Sequence, residues 1–140
     1  MSTDPRRARR LRDLVIDCAH PAALARFWAA ALRWPPPSWT GEDLAALRAM
    51  GVEDPEDDPT VFIVSGDPAL PRLCFQRVPE AAAPKVAKNR LHVDVNVDSE
   101  REVEALLALG ATVVERHPRD DGGWVVLADP EGNEFCAVLH

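Results

Sequence analysis

The sequence predicts an α+β protein with two βαβββ modules in tandem. The main observation is that a strand followed by an amphipathic helix occurs twice, at 13–32 and at 91–110. A shift of 79 residues superposes Asp13 on His92 and Asp17 on Asn96, and it also aligns the two helices. Each helix is followed by short alternating segments that are typical of strands. We therefore expect an internal duplication.

The first unit begins with DLVIDC at 13–18, whose apolar and polar residues alternate as in a strand with one buried face. Pro21 then stands where a helix favours proline, at its first position. The apolar residues that follow recur at helical spacing and predict about three turns. Beyond WPPPSW at 34–39, we expect a short helix at about 42–50 and strands in TVFIVSG and PRLCFQRV.

The second unit begins with LHVDVNV at 91–97, where we expect the apolar residues from Leu91 to Val97 to face a helix. Ser99 and Glu102 have the spacing of a capping box, and Gly110 is a suitable residue to end the helix. Three further strands are predicted in ATVVER, GGWVVLAD and EFCAVL, the last two separated by a DPEGN turn.

The domain organisation follows from these elements. We expect a basic, flexible arm at 1–12 and one domain at 13–140, with module one at 13–78, a linker at 79–90 and module two at 91–139. The net charge of −7 gives no support for nucleic-acid binding. No apolar run is long enough to span a membrane. Three separate cysteines without a CxxC motif predict reduced thiols in a cytoplasmic protein.

Polar residues collect on one face of the predicted sheets. In the final strand, the period of two places Glu134, Cys136 and Val138 opposite Phe135 and Ala137. The same reasoning places polar groups away from the helices in three other strands. We call this side the outer face, and its other predicted polar members are Asp13, Asp17, Gln76, His92, Asp94 and Asn96. Four strands with this pattern predict a polar cavity.

The chain resembles the vicinal oxygen chelate superfamily, in particular its glyoxalase-like members, from about Asp13 to Leu139. The motifs that carry the resemblance are DCAHPAALARFWAAAL, KNRLHVDV, LLALGATVV and LADPEGNEFCAV. The resemblance implies a glyoxalase/bleomycin resistance/dioxygenase-like fold, whose curved mixed sheets enclose a cleft around a divalent metal. It also implies a homodimer.

Family metal ligands come from the first and last strand of each module, which by this resemblance are Asp13, Gln76, His92 and Glu134. Imidazole and carboxylate ligands together suit Zn²⁺, Ni²⁺, Mn²⁺ or Fe²⁺. No organic cofactor is indicated. Gln76 stands where glyoxalase I enzymes have a glutamate base, and an amide cannot accept a proton at neutral pH. Classical glyoxalase I chemistry is therefore not expected.

Two interpretations of the predicted site remain open. In the first, a metal-dependent lyase or isomerase acts on a small oxygenated molecule, and the metal stabilises an enolate-like intermediate as a Lewis acid. Glu134, Asp17 and Asp94 then transfer protons, and the substrate contacts are Asn96, Cys74, Cys136, Arg90 and Trp39. In the second, a metal-free protein of the bleomycin-resistance type sequesters a small molecule.

Each candidate residue also has a structural interpretation. His92 and Glu134 can pair without a metal, and Asp13 can pair with Arg10 or Arg12. Asp17 and Asp94 can form salt bridges with Arg90 or Arg72. Cys74 and Cys136 can be inert packing residues.

Overall fold

A computed structural model describes residues 6–140, so the first five residues of the predicted basic arm lie outside the described residues. The strands are β1 (Asp13–Cys18), β2 (Thr60–Ile63), β3 (Arg72–Arg77), β4 (Asp94–Val97), β5 (Thr112–His117), β6 (Trp124–Ala128) and β7 (Glu134–Leu139). The α-helices are α1 (Pro21–Leu32), α2 (Gly41–Ala49) and α3 (Glu100–Leu109), and short 3-10 turns lie at Pro55–Asp57 and Pro79–Ala82. The predicted α+β class is confirmed.

The strands form two mixed sheets with related topologies. The order is β1-β3-β2 in the first sheet and β4-β7-β6-β5 in the second. In each sheet the first strand is parallel to the last strand of its unit, and the remaining pairs are antiparallel. We call the elements from β1 to β3 module one and those from β4 to β7 module two. The same connection in both is what the predicted duplication requires.

Module one differs from the expected βαβββ pattern because the described chain has two strands after α1, not three. The segment that would contain the additional strand holds Pro35, Pro36 and Pro37, which lack the N–H group that a strand ladder needs. It continues into α2, whose N-terminus has a reciprocal capping box between Thr40 and Asp43. The short helix predicted in this region is confirmed.

Strand β4 is shorter than the sequence pattern predicted, because it begins at Asp94 and not at Leu91. Leu91 is 89% exposed and Val93 is 40% exposed, so their predicted burial against a helix is wrong. The preceding chain turns toward the start of β7, where the Asn89 amide donates a hydrogen bond to Glu134. His92 therefore precedes the regular ladder.

One hydrophobic core cluster joins α1 and α3 to both sheets. Helix α1 packs against β2 and β3, and it also contacts α3. The Trp28 ring lies edge-on to Phe135 of β7, with 4.8 Å between their centroids. Trp28 is a core residue, as predicted, and its indole Nε1 donates to the buried carboxylate of Asp129 at 3.0 Å. One helix of module one thus packs on the central strand of module two.

The helix ends agree only in part with the sequence pattern. Helix α1 begins at Pro21 and α3 is followed by Gly110 with φ of +122°, both as predicted. The predicted capping box at Ser99 does not form, because Glu102 accepts from the Asp98 amide and from Arg33. Arg33 belongs to module one, so this contact also joins the modules.

Candidate functional site

The predicted core face of the last strand in each module is confirmed, although Cys74 and Cys136 on the opposite face are also buried. Phe135 and Ala137 of β7 and Phe75 of β3 are fully buried in the core beside the helices. Neighbouring residues along a strand point to opposite sides, so Glu134 and Cys136 lie on the outer face. This face is where the predicted site residues of the second sheet belong.

Glu134 is held by a cation from the linker. Lys85 Nζ lies 2.8 Å from one carboxylate oxygen and 2.9 Å from the other, and the Asn89 amide donates to the carboxylate at 3.0 Å. Lys85 also donates to the Ala87 carbonyl oxygen. Burial raises the pKa of Glu134, but the hydrogen bonds from Lys85 and Asn89 outweigh it and lower the pKa to about 2. Glu134 is thus a paired anion at neutral pH.

Asp13 has a similar partner in module one. Arg72 donates to both of its oxygens, from Nε at 2.7 Å and from Nη2 at 3.1 Å. Arg12 lies farther away, at 3.7 Å, so the expected partner from the basic arm is secondary. The hydrogen bond from Arg72 lowers the pKa of Asp13 below its usual value. The Arg72 guanidinium also lies over the Phe62 ring, 4.3 Å from its centroid.

The strand register corrects the assignment of Gln76. On β1 and β3, Asp13 is paired with Arg72, whereas Gln76 is paired with Asp17. Four residues of strand separate these positions by about 13 Å, so Asp13 and Gln76 cannot bind one ion. In module two, Cys136 is the partner of Asp94. Glu134 lies two residues before Cys136, and His92 lies two residues before Asp94. The counterpart of Glu134 in module one is therefore Arg72.

The residues at the family metal positions do not fit a metal in this structure. Arg72 places a guanidinium at the position in module one that corresponds to Glu134. The same guanidinium neutralises the Asp13 carboxylate. Glu134 has both oxygens committed to an ammonium group that a metal would have to displace. His92 is the remaining member, and its side chain is 43% exposed. We therefore derive no reaction step through a metal at these positions.

A second set of donors combines His92 with the residue pair one step further along the strands, Asp94 and Cys136. His92, Asp94 and Cys136 each offer a ligand atom, and these atoms lie within 4.8 Å of one another. His92 Nδ1 is 3.8 Å from the Asp94 carboxylate, and Cys136 is 8% exposed. Burial raises the pKa of the Cys136 thiol, and the charge of Asp94 and its hydrogen bond raise it further. This group could hold a metal ion.

A cavity lies beside the far end of the same sheet. Its volume is about 490 Å³, and its lining includes Trp124 of β6, Val138 of β7 and Arg119. The His117 ring is stacked on Trp124 with 4.7 Å between centroids, and the Arg119 guanidinium lies 5.3 Å from the Trp124 centroid. Asn96 borders this region, since it is the register partner of Val138. This cavity is a shallow depression that is widely open to solvent.

The other predicted site residues are distributed over the molecule. Asp17 is exposed on β1, Arg90 is exposed in the linker, and Cys74 is buried on the outer face of β3. The Asn96 side-chain oxygen accepts a hydrogen bond from His140 Nε2 at 2.8 Å. Trp39 packs on the core, and its indole donates to Asp58 at 2.8 Å. Their roles as substrate contacts or proton carriers stay predictions.

Two residues that sequence reasoning missed, Lys85 and Asp129, are central to the site and its support, and Arg72 was expected to pair with Asp17 or Asp94 but pairs with Asp13. Asp129 accepts from the Trp28 indole and from the amides of Glu131 and Asn133. Glu131 in turn accepts from the amides of Ala19 and His20 before α1. A signal for Arg72 was present: RLCF at 72–75 and EFCA at 134–137 align on their cysteines. No comparable signal marked Lys85.

Fold and site together define a class of protein: a duplicated α+β fold in which each sheet has polar side chains on the face away from the helices. The glyoxalase-like domain family matches residues 13–138, so the chain belongs to this family and to the vicinal oxygen chelate superfamily. No curated protein matches the chain. None of the described helices is long and apolar enough to cross a membrane.

Solved structures show the same fold at low sequence identity. A glyoxalase/bleomycin resistance protein/dioxygenase family enzyme from Burkholderia phytofirmans is 16% identical, covers 94% of this chain and 98% of its own, and has a TM-score of 0.60. A glyoxalase-related enzyme from Fulvimarina pelagi is 17% identical, covers 95% of this chain and 89% of its own, and has a TM-score of 0.60. Fosfomycin resistance protein FosX from Mesorhizobium loti is 13% identical over 94% and 92%, also with a TM-score of 0.60.

Proposed function

We propose that this protein binds a small oxygenated molecule on the outer face of the second sheet, without a metal at the family positions. The observation that carries the proposal is that both carboxylates at these positions already have a fixed cationic partner. Asp13 is paired with Arg72, and Glu134 is paired with Lys85. A metal ion that bound either carboxylate would displace its lysine or arginine. The displaced cation would then lack a partner, which costs free energy in a partly buried setting.

The proposed ligand region extends from Asp94 to the cavity at Trp124. Along this path the outer face has an amide at Asn96, an imidazole at His117 and the Arg119 guanidinium beside the aromatic ring. Few aromatic groups and several hydrogen-bonding groups favour a polar ligand over a flat apolar one. This favours sequestration or binding of an oxygen-rich metabolite or drug.

A titration of metal-free protein tests the proposal. Protein treated with a chelator is titrated with fosfomycin and with bleomycin, and binding is followed by thermal shift and by tryptophan fluorescence. We expect a saturable signal with at least one of these probes, weakened in Asn96→Ala and Trp124→Phe. Asp17→Asn, on the first sheet, is the control and should bind as the parent protein does.

The metal-dependent lyase or isomerase implied by the family resemblance stays a prediction, as do the homodimer and the cytoplasmic location. Binding that requires added Mn²⁺ or Ni²⁺, and that is abolished by both Asp13→Asn and Glu134→Gln, would favour the enzyme and refute the metal-free proposal. Absence of any signal from either probe in metal-free protein would also count against it.

A further inference from the structure

We infer that His92, Asp94 and Cys136 form a zinc-binding site, which shares only His92 with the metal positions implied by the family and takes its other two ligands from residues outside that set. This inference goes beyond the proposed function, because it applies to a binding protein and to an enzyme alike. It rests on the strand register, on the chemistry of the three donors and on a comparison with module one.

The register of the second sheet brings the three donors together. Asp94 and Cys136 are direct partners on β4 and β7, so their side chains are neighbours on the outer face. His92 precedes Asp94 by two residues, and its Nδ1 lies 3.8 Å from the Asp94 carboxylate. The three ligand atoms lie within 4.8 Å of one another, whereas ligand atoms around tetrahedral zinc are about 3.5 Å apart. Small side-chain rotations close this difference.

The donor set suits zinc. An imidazole nitrogen, a carboxylate oxygen and a thiolate sulfur are all established ligands for Zn²⁺, and the thiolate disfavours Mg²⁺ and Ca²⁺. When the Zn–S bond forms, the Cys136 thiol releases its proton to solvent. Three protein ligands leave the fourth tetrahedral position for water or for an oxygen atom of a bound molecule.

The local charges favour a cation here more than at the family positions. Within residues 6–140, the Asp94 carboxylate lies 3.8 Å from the His92 imidazole and forms no salt bridge with a lysine or arginine, although the charge of Lys88 acts on the neighbouring Cys136 thiol. Glu134 and Asp13, by contrast, hold Lys85 and Arg72. The cation that Asp94 lacks is what a zinc ion would supply.

Module one contains a natural control for this arrangement. Cys74 is the counterpart of Cys136 in the last strand, and its register partner is Val15 in place of Asp94. The counterpart of His92 is Asp13, which is paired with Arg72. Cys74 is therefore a buried outer-face thiol without the other two donors.

The test uses the full chain, reduced with a non-chelating phosphine and stripped of metal. Zn²⁺ affinity is measured by competition with a chromogenic chelator, and Co²⁺ is added as a spectroscopic probe of thiolate coordination. We expect one equivalent of bound Zn²⁺ and a sulfur-to-cobalt charge-transfer band. Cys136→Ser should abolish the band, and His92→Ala and Asp94→Asn should each weaken Zn²⁺ binding by about tenfold or more.

Two controls keep the result specific. Cys74→Ser should retain the band and the affinity, and Glu134→Gln should retain both, since that carboxylate belongs to Lys85. Circular dichroism of every variant verifies that it is folded. Absence of the band in folded parent protein would overturn the inference, as would zinc affinity that is unchanged in Cys136→Ser. A parent protein that binds Zn²⁺ without showing the band, and that loses this binding in Glu134→Gln, would instead hold its metal at the family position. That result would refute both the zinc site inferred here and the proposed metal-free function.

Discussion

Each module contains one pair of parallel strands, β1–β3 in module one and β4–β7 in module two. The two pairs have different side chains on their outer faces. In module one the first outer-face pair is an ion pair within the sheet, Asp13 with Arg72. In module two the corresponding carboxylate, Glu134, receives its cation from the linker. Module one therefore satisfies its own charges, whereas module two depends on a segment outside its sheet.

The difference continues one residue pair further along the strands. A cysteine occupies the same place in both modules, but its partner is Val15 in module one and Asp94 in module two. Since the scaffold is equivalent, the chemistry of each face is decided by these few substitutions. Module one thus closes this face with its own ion pair, whereas module two has on it the groups of the proposed ligand and zinc sites.

The largest effect is expected from removing the buried Asp129 carboxylate of module two. Asp129→Ala should lower the free energy of unfolding by about 4 kcal/mol, because the Trp28 indole and the 131–133 amides lose their acceptor. Asp58, which accepts from Trp39 and from the Thr60 amide, is the matched residue in module one. Asp58→Ala should cost about 2 kcal/mol. Urea denaturation measures both, and equal losses would contradict the asymmetry between the modules.

A smaller effect concerns the two cationic partners. Lys85→Met should destabilise the protein by about 2 kcal/mol, between the values for exposed and buried ion pairs, because the Glu134 carboxylate is left with one main donor. Arg72→Met should destabilise the protein less than Lys85→Met does, since the Asp13 pair is more exposed. Lys88→Met in the same linker is the control. A larger loss for Arg72→Met would reverse the proposed ranking.

The smallest effect is the pH dependence that Glu134 confers. Its pKa is about 2 in the folded protein against an ordinary value of 4.5, so it stabilises the folded state above pH 4.5. This contribution is lost as the pH falls from 4.5 toward 2. The stability difference between the parent protein and Glu134→Gln should therefore be about 1 kcal/mol smaller at pH 3.5 than at pH 7. A constant difference, measured by urea midpoints, would show that Glu134 is not paired.

The fold could be predicted from sequence where local pattern and tertiary packing agree. The alternation of Phe135 and Ala137 with Glu134 and Cys136, and the helix start at Pro21, were read directly from spacing. The strand at 91–97 was predicted too long, because its alternating pattern carries no information about the Asn89 bond that turns the chain. Local periodicity does not report such long-range contacts.

For the candidate site, the sequence predicted which side of the sheets carries the polar residues, but not how these residues pair. Period two correctly placed polar residues on the side away from the helices, but the partners of Asp13 and Glu134 depended on register and on the linker. The insertion in module one hides the register between β1 and β3, which led to the assignment of Gln76 in place of Arg72. Lys85 lies in a segment rich in alanine and proline, where sequence gives no indication of a long-range ion pair.

The parallel closure of each module also has a consequence for how the chain folds. The β1–β3 pairing spans 59 residues, and β4 cannot join a ladder until β7, at 134–139, has been synthesised. As the ribosome extends the chain, module one can be completed early, whereas β4, α3 and the β5–β6 hairpin wait for the strand that becomes their centre. Until then β6 has no partner on the side that β7 later occupies, and an unpaired strand edge of this kind favours aggregation of the nascent chain.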